Sequence, residues 1–475
     1  MRLAPELLCF SMDFMLPDQR MFGKTRTWSH VHRLPPASTA TNGSTRDTRP
    51  AQVCTGAAAV HAADGSSRAA GGPARPTAIP PLRGRVMRVV VLGAKGLPDA
   101  DGAGGVERGV SQLGARLSAR GHEVVVYARG HGFGSRSVAG VKIREVPFVS
   151  TRRLAGWSHL LVSLIDVLLH ERRVDVYHVH CAQHGVFCIP LRLTGARMVF
   201  HLHGCEWRAR KWGRVMAALI WVSGWLGVRA AHATAAVCRE SIEALAGRSR
   251  SRVRCSFVPN GVPDELREQC LRDERDPTLP QRFLLYAGRL VPQKRVDLLL
   301  HAMNRLPTDV ELVIAGQTSH CDDHLAELQR LAGNSGRVHF VGHVPLERLA
   351  RLYALCELVV LPSESEGYAN VLVEALTSGC AVVTSDIEQN REVVADGGAL
   401  FRCGDADDLA RVLSGLLADP HALAALRSAA RRRADQLWSW DAVTDCFLGL
   451  YVPDSSVGRW GQSAGCSPSR RREVR

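Results

Sequence analysis

Short runs of valine, leucine and isoleucine recur along this chain, most of them closed by glycine, proline or serine. Between them the apolar residues fall three and four apart. Buried strand followed by amphipathic helix, repeated, is the pattern of a parallel sheet covered on both faces. The first run, Arg88–Leu92, leads through a glycine-rich stretch, 93–105, into a helix whose Val106, Val110, Leu113 and Leu117 share one face. Gly121 ends that helix, and residues 123–127 form the next strand. Further strands are predicted at 174–180 and 198–203, and 258–262 reads as a strand end with a turn. After a polar, charged linker, 264–281, a second series follows: Phe283–Ala287, Glu311–Ala315, 338–341, Leu358–Leu361 and 381–384, with amphipathic helices between. The prediction is an α/β chain with two doubly wound parallel sheets. Their ligand-binding loops, at strand C-termini, face each other across a cleft.

Composition refines this picture. At 475 residues the chain exceeds one ordinary core, and 46% hydrophobic with 22% charged residues is a globular balance. The formal charge of +14 invites a nucleic-acid partner, so its distribution matters. Residues 1–86 hold 11 Lys and Arg against 5 Asp and Glu, and residues 452–475 hold 5 against 2. More than half of the charge thus sits at the two ends, and no nucleic-acid partner is expected. The 14 cysteines are scattered without a C-x-x-C pair, which predicts reduced, buried thiols and a cytoplasmic location. No run reaches the roughly 18 apolar residues of a membrane span, and Glu6 and Asp13 interrupt the N-terminal apolar patch against a signal peptide. Residues 1–86 lack any sustained period and read as disordered or as sequence upstream of a start at Met87, and 452–475 as a disordered basic tail.

The candidate chemistry lies at the loop ends. In Glu366-Gly-Tyr-Ala-Asn-Val-Leu-Val-Glu374, which follows the Leu358–Leu361 run, helical spacing begins at Asn370 and Gly379 stops it. A helix N-terminus offers unpaired amides to phosphate, so two carboxylates bracketing it need a reason: each can accept hydrogen bonds from sugar or ribose hydroxyls. The competing reading makes both solvated surface residues. Gly288, Arg289 and Lys294 follow the first strand of the second series, where a glycine turn with two cations suits a diphosphate. Gly104 and Gly105 let backbone approach a ligand at the first helix, although the loop lacks the dinucleotide-binding G-x-G-x-x-G order. His178 with His180, and His201 with His203, are His-x-His pairs at strand ends. They tempt a zinc assignment, but the stronger expectation is no metal and a direct site role for His203. Asp99 and Asp101 match a metal-binding D-x-D without a third ligand. The basic, aromatic segment 206–214 leads into apolar 215–228. It fits a core helix with a solvated flank, a nucleic-acid contact, or a membrane surface carrying a lipid-linked substrate.

These pieces together resemble glycosyltransferase family 4, the retaining nucleotide-sugar enzymes of GT-B fold. The likeness runs from Met87 to about Tyr451, through Gly104-Gly105, His203-Gly204, Pro259 to Val262, Gly288-Arg289 with Lys294, and the Glu366 to Glu374 spacing. The segment His203 to Trp212 is similar to the branch that makes cell-surface or exopolysaccharide linkages. Cys205-Glu206 stands where leucine and aspartate are commoner, and Cys238 where serine is usual. The resemblance implies an acceptor domain at 87–265, a donor domain at 266–435 and a crossover helix at 436–451 that returns to the first domain. It implies that Arg289 and Lys294 neutralise the donor diphosphate, that Glu366 binds the transferred sugar and Glu374 the ribose. Gly104, Gly105 and the amides of Gly367, Tyr368, Ala369, Asn370 and Val371 would bind phosphates, with His203 at the reacting groups. No cofactor and no metal is implied. The partners are a nucleotide-sugar donor and a glycan, lipid-linked or small-molecule acceptor, with peripheral contact at the inner face of the cell membrane through 206–228. Rival expectations are a sugar-nucleotide epimerase, a phosphorylase-like enzyme whose pyridoxal lysine is not found, and an inactive sugar-nucleotide or glycan-binding module.

Overall fold

The computed structural model of the chain describes residues 85–97, 104–151, 154–209, 212–247, 255–263, 266, 279–318, 322–333 and 336–453. The Asp99 and Asp101 pair, most of the 264–281 linker, residues 1–84 and residues 454–475 lie outside them.

Among these residues the first lobe holds an eight-stranded sheet: β1 (Arg88–Leu92), β2 (Glu123–Gly130), β3 (Gly134–Val138), β4 (Val141–Pro147), β5 (Val176–His180), β6 (Arg197–Leu202), β7 (Ala233–Ala236) and β8 (Cys255–Phe257). Their spatial order is β3-β4-β2-β1-β5-β6-β7-β8, parallel throughout except for the β3–β4 hairpin. The second lobe is an all-parallel sheet of β9 (Phe283–Ala287), β10 (Glu311–Ala315), β11 (Val338–Gly342), β12 (Leu358–Leu361), β13 (Val382–Ser385) and β14 (Ala399–Phe401), ordered β11-β10-β9-β12-β13-β14. In both sheets the order reverses beside the first strand of the lobe, the position at which such folds open a ligand crevice.

The unbroken valine run of β1 follows from burial on both sides. Val90 and Leu92 join a core beneath helices Ala155–His170 and Arg214–Ala230, whereas Val89 and Val91 face helix Gly105–Ala119. That second face is completed by the last described helix, Trp440–Tyr451, through Trp440, Val443, Phe447 and Leu450. The chain therefore returns from the second lobe to the first. Trp440 packs so tightly on Gly261 that a Cβ there would lie 2.7 Å from its ring and backbone. Arg120 pairs with Asp441 and Asp445 at 3.0 and 2.7 Å, and Arg197 Nε donates to the Leu450 carbonyl at 2.6 Å.

Four strands escaped the hydrophobic pattern. β3 is exposed along most of its length, β4 belongs to the same hairpin, β7 is only Ala-Thr-Ala-Ala, and β14 is three residues long. None of the single helices described is long and apolar enough to cross a membrane. The nine described cysteines are all free thiols.

Candidate active site

The two sheets present their C-terminal edges to one cavity of about 300 Å³. Every site residue named from the sequence lines it: Gly104 and Gly105, His203, Arg289 and Lys294, the segment 366–371, and Glu374.

Each side chain is set by its loop. After β9, Gly288 takes φ +145 and the chain makes a short turn, Pro292–Lys294, before helix Val296–Met303. Lys294 Nζ lies 2.5 Å from Glu366 Oε1, and both side chains are largely withdrawn from water. Arg289 is exposed at the cleft and makes no ion pair or side-chain hydrogen bond to any described residue. Helix Asn370–Thr377 starts after Ala369 with no side chain capping it; the Leu372 and Val373 amides bond the Ala369 carbonyl, and those of Asn370 and Val371 are left for a ligand. On the opposite wall, Glu107 ties down the glycine loop, accepting from the Gly104 N–H at 2.9 Å and the Lys95 N–H at 3.3 Å.

Glu374 has a second environment beyond the one its spacing suggested. It is buried, and both carboxylate oxygens are engaged: Oε1 accepts from Arg108 Nη1 at 3.0 Å and Oε2 from the Tyr353 hydroxyl at 2.9 Å. Burial raises its pKa, and the Arg108 charge and Tyr353 hydrogen bond act against that rise. Nearby, Asn260 Nδ2 donates to Asn370 Oδ1 at 2.7 Å, again between lobes. Below the cleft, Arg239 meets Glu392 at 2.9 Å and Gln389 donates to Glu240.

One close contact between lobes is backbone to backbone. Gly204, at φ +132, lies against Gly367, and a Cβ on Gly367 would come within 1.9 Å of the His203 carbonyl oxygen. The imidazole of His203 is held by His180, with Nε2 2.8 Å from His180 Nδ1. Burial drives its pKa down to about 4, so it is neutral at pH 7.

Two family models match the chain. One, described as Glycosyltransferase Family 4, takes residues 103–266, and the other, Glycosyl transferases group 1, takes residues 271–433. Together they span more than half of the sequence. The chain belongs to glycosyltransferase family 4. Among curated relatives, this family 4 chain is 33% identical over 202 residues to a D-inositol 3-phosphate glycosyltransferase of Xylanimonas cellulosilytica, covering 42% of the chain and 48% of the relative. It is 31% identical over 177 residues to O-antigen chain mannosyltransferase B of Escherichia coli, covering 36% and 46%. The chain spans about half the length of the curated relatives it matches. Among solved structures, sucrose-phosphate synthase from Thermosynechococcus elongatus superposes with a TM-score of 0.64 at 21% identity, covering 77% of this chain and 98% of that one. Anabaena HepE in complex with UDP and glucose superposes with a TM-score of 0.63 at 20% identity, covering 76% and 98%. These likenesses show the GT-B fold.

Sequence reasoning gave no site role to Arg108, Asn260 or Tyr353, although Asn260 lies in the Pro259 to Val262 stretch that carried part of the resemblance. Arg108 carried a usable signal. A cation in the first turn of a helix opposes the helix dipole, so it calls for a carboxylate elsewhere. Tyr353 offered none, since it sits among apolar residues of helix Leu346–Leu355 and only its hydroxyl reaches Glu374.

Proposed function

We propose that this family 4 chain transfers a sugar from a nucleoside diphosphate donor to an acceptor hydroxyl, with retention at the anomeric carbon. The observation that carries the reading is the convergence of Arg289, Lys294, Glu366 and the uncapped Asn370–Thr377 helix on one cavity. Cations and amides there suit a diphosphate, and Glu366 suits the hydroxyls of the sugar it carries. Lys294 and Glu366 hold each other at 2.5 Å, so a bound donor divides the pair, the phosphate taking the ammonium and the sugar taking the carboxylate.

In the step proposed, the bond from the anomeric carbon to the diphosphate oxygen breaks as the acceptor oxygen bonds to the same face. The acceptor proton passes to the departing phosphate oxygen. Arg289, Lys294 and the helix amides stabilise the charge developing on that phosphate, so the donor site itself calls for no metal. Neutral His203 sits beside the loop that holds Glu366 and contacts the sugar. HepE was solved with UDP and glucose, which supports a UDP-class donor for the same fold.

Exposed Leu161, Ile165, Leu168 and Leu169 on helix Ala155–His170 accompany exposed Val215, Leu219 and Val222 on helix Arg214–Ala230. Neither helix carries an exposed carboxylate, since Asp166 is buried. This supports peripheral contact with an anionic bilayer and a lipid-linked acceptor.

A thermal-shift panel of nucleoside diphosphates and their sugars tests the donor site. The matching donor raises the midpoint by an amount that grows with the logarithm of its concentration above Kd. Proton NMR of the product then reads the anomeric configuration. A panel without a shift, or a product of inverted configuration, defeats the reading.

A further inference from the structure

Outside the donor cleft, three imidazoles of the first lobe converge with ring nitrogens that the protein leaves unsatisfied. His178 and His180 lie two residues apart on β5, and His201 lies opposite His180 in the parallel register with β6. All three are buried, and their candidate ligand nitrogens lie within 4.8 Å of one another. His178 Nδ1 meets the Tyr451 hydroxyl at 2.8 Å, and His180 Nδ1 meets His203 Nε2 at 2.8 Å. The Nε2 atoms of His178 and His180 and both nitrogens of His201 are buried without a partner. Neighbouring His184 is different, with Nδ1 on the His180 carbonyl and Nε2 on Gln183.

A buried polar atom left without a partner keeps its desolvation penalty with nothing to offset it. Packing alone does not explain why several such atoms collect in one small volume.

We propose that His178, His180 and His201 bind one divalent transition-metal ion of the zinc class, through Nε2 of His178 and His180 and one nitrogen of His201. Two residues at i and i+2 on a strand, with a third on the adjacent strand, put three imidazoles on one sheet face. Three imidazoles are a sufficient protein ligand set for zinc, and imidazole suits zinc, copper, nickel and iron better than magnesium or calcium. The outer partners also match. A metal-bound imidazole commonly donates its other N–H to a fixed group, and here the Tyr451 hydroxyl and His203 Nε2 stand at those positions.

One consequence reaches the cleft. With Nε2 of His180 on the metal, its proton lies on Nδ1 and is donated to His203 Nε2. His203 must then carry its own proton on Nδ1 and offers the cleft an N–H instead of a lone pair. The ion thus fixes the tautomer of a cleft residue and, through Tyr451, ties the returning helix to the first sheet. It does so without touching the donor diphosphate, and its existence does not depend on the transfer reaction.

The test uses the full chain without a histidine tag, stripped with a chelator and reloaded with Zn²⁺ or Co²⁺, with metal content read by mass spectrometry. The expected result is about one ion per chain, visible ligand-field bands with Co²⁺, and a higher melting midpoint on reloading. His201→Ala and His178→Gln should each lose the stoichiometric ion. Tyr451→Phe should keep it with roughly 10-fold weaker affinity, and His184→Asn should keep it unchanged. A chain that takes up no ion from excess Zn²⁺ overturns the proposal, the shared space then holding water or nothing. So does an ion that survives both His201→Ala and His178→Gln. If those variants fail to fold, the Co²⁺ spectrum of the unmodified chain decides, and absent bands sink the idea.

Discussion

Arg108 of the first lobe and Glu374 of the second meet at 3.0 Å across the cleft, the guanidinium partly exposed and the carboxylate buried. The contact joins the first turn of helix Gly105–Ala119 to helix Asn370–Thr377, two helices whose N-termini border the cavity. A buried carboxylate that loses its partner keeps the desolvation cost and forfeits the compensation.

Arg108→Ala should therefore destabilise the protein by about 1–3 kcal/mol, while Arg108→Ala combined with Glu374→Gln should cost less than the two changes added separately. Denaturant midpoints of the four proteins in the cycle measure this coupling. Additive losses would show that the two groups touch without stabilising each other. The direction of the Glu374 pKa gives a companion expectation: with Arg108 gone, one of the influences holding the carboxyl down is removed and its pKa rises further.

In the proposed reaction Lys294 and Glu366 act on the donor, and removing one partner leaves the other without its counter-charge. Lys294→Ala and Glu366→Ala should each lower turnover by about 10² to 10³, with the circular dichroism spectrum retained and the melting midpoint lowered, because the group left behind stays largely buried without its counter-charge. Lys294→Arg should recover only part of the loss, because the planar guanidinium does not reproduce a compact ammonium. Nucleotide release in the presence of acceptor gives the turnover. Near-normal rates in both alanine variants would remove these residues from the reaction.

How far the chain could be read before its fold was known differs from place to place. The valine-rich strands were legible because a strand buried on both faces leaves no ambiguity of period, and the Glu366 to Glu374 spacing was legible because a loop-to-helix junction has recognisable punctuation. β7 was not, since Ala-Thr-Ala-Ala has too little apolar volume to declare burial; it is buried by its neighbours. Arg108 and Tyr353 were hidden for another reason. Their partner lies more than 20 residues away in sequence, and in the case of Arg108 in the other lobe, so no local pattern encodes the contact. The His178, His180 and His201 cluster falls between these cases: the pairs are plain in sequence, but only the β5–β6 register brings three rings together.

His159 supplies a pH dependence whose sign can be fixed. It is buried in helix Ala155–His170, and desolvation with the nearby Arg129 charge lowers its pKa from 6.5 to about 4. The unfolded chain takes up a proton near pH 6.5 while the native chain does not do so until about pH 4. Its contribution is thus complete above pH 6.5 and is lost as the pH falls toward 4, up to about 3 kcal/mol in all. His159→Gln should flatten the stability curve across this window by roughly that amount. Urea unfolding at half-unit pH steps reads the difference between the two proteins, and parallel curves would show that His159 titrates in the native chain as it does in the unfolded one.

Gly367 tests whether the observed contact between the lobes is used in function. Its backbone faces the His203 carbonyl so closely that a Cβ would lie 1.9 Å from the oxygen, a distance no side chain tolerates, and the opposing atoms are main chain that cannot rotate away. Gly367→Ala should force the His203–Gly204 loop and the Glu366–Gly367 loop apart while leaving the core of each lobe as it is. The expected outcome is a drop in turnover of about 10²-fold from misplaced catalytic groups, weaker donor binding and a larger radius of gyration by small-angle scattering with saturating donor. If the alanine variant kept full activity, the working form of the chain would be more open than the one described, and in the proposed reaction the Lys294 and Glu366 pair would have to reach the donor from a cleft of different shape.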